Sequence, residues 1–98
     1  MKISAKELIL KLSQENLNIF DIRDPYSFSK NHIPQSKNVS AILLLNYPTS
    51  YLEKDKIYYI YCSFGNTSQN IANKLNKLGY TVINLSGGYM NYLKESKV

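Results

Sequence analysis

The 98 residues, 44% of them hydrophobic, suffice for one modest core and leave no room for a second, so residues 1–98 are read as a single domain. The formal charge of +5 rests almost wholly on lysines spread along the chain, which reads as a solvated face and not as a nucleic-acid-binding stripe. No apolar run approaches the roughly 20 residues that cross a bilayer, no secretory signal opens the chain, and a single cysteine excludes an internal disulfide, so no membrane contact and a reducing cytoplasm are expected.

Ser4-Ala5-Lys6-Glu7 is a capping box that opens a helix with Leu8, Ile9 and Leu12 on its inner face. Leu17 to Ile22 reads as a strand. Asp24-Pro25 starts a short helical turn, Asp24 as cap and Pro25 at the first helical position, with Tyr26 and Phe28 supplying its apolar contacts. Residues 31–36 form a loop, and Lys37-Asn38-Val39 make a brief strand. Ala41 to Leu45 begin a helix stopped by Pro48, and Glu53 to Lys56 are a charged turn.

Tyr58 to Cys62 is an apolar, aromatic run that reads as a buried central strand. A polar turn follows, and then a helix from Gln69 to Leu78 with Ile71, Ala72, Leu75 and Leu78 on one face and Gly79 as its stop. Tyr80 to Leu85 is another strand, Ser86-Gly87-Gly88 a tight turn, and Tyr89 to Lys94 begin a last helix. Strands alternating with helices predict an α/β domain with a mostly parallel sheet of four to five strands and helices on both faces. Ligands bind such sheets beyond the carboxyl ends of the strands, where Cys62 falls.

The loop gives Cys62 a chemical reading. A chain that curls from a strand end into a helix turns backbone N–H groups inward, and the helix N-terminus adds a partial positive charge. Asn66, Thr67 and Ser68 can each cap that helix through a side-chain oxygen. Such surroundings lower a thiol pKa of about 8.5 to roughly 3.5–7.5. A cysteine after an apolar strand is most often a small buried hydrophobe; the Gly-polar-polar loop is what a merely packed cysteine does not require. The site suits sulfur chemistry on an anionic donor and calls for no metal and no cofactor.

These residues resemble the rhodanese-like sulfurtransferases over nearly the whole chain. Asp21-Ile22-Arg23 is similar to that family's Asp-x-Arg. Phe28 with Asn31-His32-Ile33-Pro34-Gln35-Ser36 resembles its Phe-x-x-Gly-His-Ile-Pro-Gly-Ala segment. Residues 61–68 match its active-site strand and loop, and Leu78-Gly79-Tyr80 with Gly87-Gly88 match its closing motifs, Tyr92 standing where a Trp is usual. The resemblance implies a rhodanese fold in which Cys62 takes a sulfane sulfur as a persulfide and hands it to a thiol, a protein acceptor or cyanide. It also implies that Ser63, Phe64, Gly65, Asn66, Thr67 and Ser68 bind the small anionic donor, thiosulfate or another persulfide.

The departures are specific. Asn31, Gln35 and Ser36 replace Gly, Gly and Ala, and the active loop holds no Arg or Lys, with Ser63 and Thr67 where many members carry a cation. Weak thiosulfate binding and a preference for a persulfide donor are therefore expected. A phosphatase or arsenate reductase on this fold needs Cys-x5-Arg, and that position is Ser68. The competing assignment is a catalytically silent rhodanese-like binding or regulatory module. His32 is read as part of the scaffold and not as a catalytic base. Arg23, the sole arginine, is read as pairing with a carboxylate or loop carbonyls, with an anion guide as the other role. Phe64 is either a wall for the persulfide or acceptor, or packing beneath the loop.

Overall fold

A computed structural model describes residues 1–97. Its elements run in the order β1 (Lys2–Ile3), α1 (Ala5–Leu12), β2 (Asn18–Asp21), α2 (Pro25–Lys30), β3 (Ser36–Asn38), α3 (Ala41–Asn46), α4 (Pro48–Tyr51), β4 (Ile57–Tyr61), α5 (Asn66–Lys77), β5 (Thr81–Leu85) and α6 (Gly88–Ser96). The five strands form one sheet in the order β1-β5-β4-β2-β3, and every pairing is parallel. The expected architecture is thus present, with β4 at the centre.

Alternation along β4 sends side chains to both faces. Tyr58 and Ile60 pack with Leu44 of α3, Leu52, Val82 and Ile71, Ala72 and Leu75 of α5. Tyr59 and Tyr61 pack on the other side with Ile3, Leu8 of α1, Ile19, Leu85 and Tyr89 of α6. A central strand covered on both faces must be apolar throughout, which is why its sequence carries no polar alternation.

The capping box forms as expected: Ser4 Oγ accepts from Glu7 N at 3.1 Å and Glu7 Oε1 accepts from Ser4 N at 3.2 Å. Asp24 caps α2 through Ser27 N at 2.9 Å. Other local readings are corrected. Tyr26 is exposed, its ring beneath Lys30 Nζ and not in the core. Leu78 is exposed because α5 ends at Lys77 and Leu78 is already its C-cap. Pro48 does more than stop α3; it opens the single-turn helix α4, whose Tyr51 packs edge-on against Phe20. The two-residue edge strand β1, paired to Asn84 and Leu85, has too few residues to show any period.

Gln35 occupies a family glycine position at φ 73°, in the left-handed region. Its side chain supplies a compensation that glycine lacks, since Oε1 accepts from Leu17 N at 2.7 Å, at the entrance to β2. Relief of backbone strain and loss of that bond are each worth about 1 kcal/mol. Gln35→Gly is therefore expected to stay within about 1 kcal/mol of the wild type, while Gln35→Ala, which keeps the strain and loses the bond, loses about 1 kcal/mol. Denaturant titration of the two variants checks this; equal stabilities would refute it.

Candidate functional site

Cys62 lies one residue past the end of β4, and the chain turns from it into α5 within four residues. The helix begins at Asn66, earlier than its apolar period indicated. Its N-cap is Gly65, at φ 98°, and no side chain caps it. Asn66, Thr67 and Ser68 therefore sit inside the first turn, which corrects their reading as side-chain caps. The first-turn amides are left unclaimed by cap oxygens and available to the sulfur.

Three donors converge on Cys62 Sγ: Gly65 N at 3.1 Å, Ser68 Oγ at 3.2 Å and Ser68 N at 3.4 Å. Burial on its own pushes the thiol up. The Ser68 hydroxyl and the amides of Ser68, Gly65 and Phe64 outweigh it, and the thiol lies below its ordinary value. The side chain is half-buried. It opens into a cleft of about 330 Å³ lined by Ile22, Arg23, Asp24, Ser63, Phe64, Asn66 and Thr67 besides Cys62 itself.

The six loop residues thus divide. Gly65 and Ser68 reach the sulfur, and both are buried. Ser63, Phe64, Asn66 and Thr67 border the cleft, and Phe64 is 67% exposed, so it does not pack beneath the loop.

Two contributors are absent from the site residues read from the sequence. The first amides of α6 hold the loop from behind: Tyr89 N donates to Cys62 O at 2.9 Å and Met90 N to Ser63 O at 3.1 Å. With those carbonyls held by α6, the amides of Gly65 and Ser68 further along the chain point to the sulfur. The Gly87-Gly88 turn was legible, but not its partner. The second contributor is Asn84 of β5, buried and bonded to Ser68 Oγ, Gly65 O and Gln69 Oε1. A polar residue in an otherwise apolar strand was the available clue.

Arg23 is held as a scaffold element. Its Nη2 donates to Asp21 Oδ2 at 2.8 Å and Asn31 O at 2.6 Å, Nε reaches both Asp21 oxygens, and the guanidinium lies 4.0 Å over the Tyr89 ring. Its charge is matched by the fully buried Asp21 carboxylate. Asp24, by contrast, is exposed at the cleft; hydrogen bonds from the Ser27 amide, then from its hydroxyl, hold its carboxyl below the usual range. His32 stacks flat on Phe28 at 3.8 Å and its Nδ1 bonds Phe28 O, away from the cleft lining. Among the described residues no three His, Cys, Asp or Glu side chains gather as a metal site, and no helix is long and apolar enough to cross a membrane.

The family profile for the Rhodanese-like domain matches residues 4–95. The chain is 30% identical over 89 residues to a thiosulfate sulfurtransferase GlpE of Tolumonas auensis, covering 90% of this chain and 83% of that protein. It is 33% identical over 88 residues to the GlpE of Pseudoalteromonas translucida, at 89% and 83% coverage. A rhodanese-like domain protein from Staphylococcus aureus superposes with a TM-score of 0.84 at 29% identity, over 94% of this chain and 91% of that one. Sequence, fold and the strand-loop-helix around the cysteine agree: the chain belongs to the rhodanese-like domain family.

Proposed function

We propose that residues 1–98 act as one sulfurtransferase domain, with Cys62 as the group that carries the sulfur. The observation that supports this most is the convergence of two amides and a hydroxyl on a half-buried sulfur at the floor of an open cleft. A merely packed cysteine needs no such donors.

The reaction is two displacements. The Cys62 thiolate attacks the outer sulfur of the donor. A bond forms between the two sulfurs while the donor's own S–S bond breaks, its electron pair leaving on sulfite when thiosulfate is the donor. The acceptor, a thiolate or cyanide, then attacks the outer sulfur of the Cys62 persulfide and releases the Cys62 thiolate. Preorganised backbone donors stabilise the anionic sulfur and the passing charge without reorganisation. The donors that hold the Cys62 thiol below its ordinary value favour the anion directly, and no side-chain base is assigned to the step.

The cleft bears on the choice of donor. Arg23 is neutralised by Asp21, the loop is uncharged, and Asp24 keeps its charge at the rim. A dianion gains little from that lining, whereas a persulfide carries one charge on a small head that fits the donors. Thiosulfate is therefore expected to load the enzyme with a KM above the submillimolar range, and a low-molecular-weight or protein persulfide to load it at lower concentration. At the Cys-x5 position the buried Ser68 hydroxyl offers no bidentate clamp for phosphoryl transfer.

The test is intact mass after incubation with thiosulfate and, separately, with a persulfide donor. One added sulfur, removed by a thiol and absent in Cys62→Ser, is the expected result. No adduct from either donor would overturn the enzymatic reading and leave a binding module on the same fold.

A further inference from the structure

The Ser68 hydroxyl has one proton and three acceptors within reach: Asn84 Oδ1 at 2.5 Å, Cys62 Sγ at 3.2 Å and Gly65 O at 3.3 Å. Ser68 is fully buried and Asn84 nearly so, so neither turns to solvent instead. The Asn84 amide is held in one orientation. Its Nδ2 donates to Gly65 O and to Gln69 Oε1, each at 3.2 Å, and a reversed amide would set oxygen against the Gly65 carbonyl. Oδ1 must therefore face Ser68 and compete with the sulfur for its proton.

We infer that Asn84 is a positioning residue for Cys62 that acts through Ser68, accepting the Ser68 O–H hydrogen bond in the thiol and sulfur-loaded states and losing it to Sγ in the thiolate. This deepens the sulfurtransferase reading and takes its functional meaning from it. When Cys62 ionises, its proton leaves to solvent, the Ser68 O–H turns from Asn84 to Sγ, and Oδ1 is left without that donor inside the protein. The thiolate is thus held less firmly than the three donors alone would hold it, and a less stabilised thiolate is the better nucleophile. As the new S–S bond forms and the donor's bond breaks, the charge passes to the outer sulfur. The Ser68 O–H then turns back to donate to Asn84 Oδ1. The exchange opposes ionisation slightly and favours loading.

The charged groups facing Cys62 are Arg23 and Asp24, across the cleft from the end of β2. The active loop, the first turn of α5, β5 and the start of α6 present only uncharged groups to it: the residues of 63–68, Asn84 and the Tyr89 amide. Between weakly acid and mildly alkaline pH both flanking charges are constant, so the alkylation profile reads the thiol.

The experiment is the rate of Cys62 alkylation by iodoacetamide against pH in the full chain. Asn84→Ala frees the Ser68 proton for the thiolate and should move the midpoint down by about one pH unit, the effect of one hydrogen bond to an anion. Asn84→Asp keeps an acceptor for Ser68 and adds repulsion when ionised, so its midpoint should move up. In a Ser68→Ala background, Asn84→Ala should move nothing. Asn84→Val, whose branched side chain suits β5, reads the same downward shift should the alanine cavity prevent folding. Loosening of the loop alone would move the Ala and Asp variants in the same direction; that result, no shift, or a shift surviving without Ser68 would overturn the inference. Alkylation needs no sulfur donor, so failure here is distinguishable from failure of sulfur loading.

Discussion

Gly88→Ala is expected to suppress sulfur loading of Cys62 by at least an order of magnitude. A Cβ built on Gly88 meets Cys62 O at 2.5 Å, Ser63 O at 2.7 Å and Gly65 N at 2.8 Å, all backbone atoms of the loop that carries Cys62. None of them is the movable end of a side chain, so the loop itself must shift. The residue also sits at φ +63°, where an L side chain is strained. Tyr89 N and Met90 N hold the carbonyls of Cys62 and Ser63, on the loop whose amides reach the sulfur. Displacement by a few tenths of an ångström lengthens three hydrogen bonds to sulfur at once, and misplacement of about 1 Å costs about a hundredfold in well-oriented reactions.

Gly79→Ala is the matched control. Gly79 has φ +99°, yet its Cβ would meet only the Lys54 side chain, at 3.4 Å. It should lose roughly 1–3 kcal/mol of stability through backbone strain and load sulfur as well per folded molecule as the wild type. Persulfide yield and thermal melting measured on both variants decide the matter. Equal loading in the two would mean that the contact between α6 and the loop does not shape the site.

The second large effect is on stability. Asp21→Ala leaves the Arg23 guanidinium, on a side chain 8% exposed, without its carboxylate, and strips a hydrogen bond from the Arg23 amide. Removing one member of a buried pair costs about 3–5 kcal/mol, because the other charge is stranded. Replacing both with apolar residues should cost less. Asp21→Leu with Arg23→Met is expected to be more stable than Asp21→Ala alone in denaturant titration, and the reverse order would refute the account. Arg23→Lys should also destabilise, since an ammonium can neither span both carboxylate oxygens nor lie flat on Tyr89. Were Arg23 instead an anion guide, Arg23→Lys would keep its stability and raise the thiosulfate KM.

Much of the fold was legible because its signals are local. The capping box at Ser4, the Asp24-Pro25 helix start, and the apolar runs of β4 and β5 declare themselves within a few residues. What lacked a signal depends on distant partners. β1 exists only because β5 offers an edge, and α5 starts early because the sulfur, not a side-chain cap, draws on its first amides. The floor of the site divides the same way. Cys62 and its loop are contiguous in sequence, but Asn84 and the Tyr89 amide arrive from other elements. Leu78, apolar and in helical phase, was misleading because the period continues past the point where the backbone leaves the helix.

Arg23 stacks on Tyr89, and the amide of Tyr89 grips the carbonyl of Cys62. The C-terminal helix therefore acts as a latch on a thiol that none of its side chains need touch. If that helix undocks while the sheet survives, Cys62 alkylation is expected to slow as the loop's donors lose their hold on the sulfur. A probe of its reactivity becomes a gauge of how firmly the end of the chain is seated.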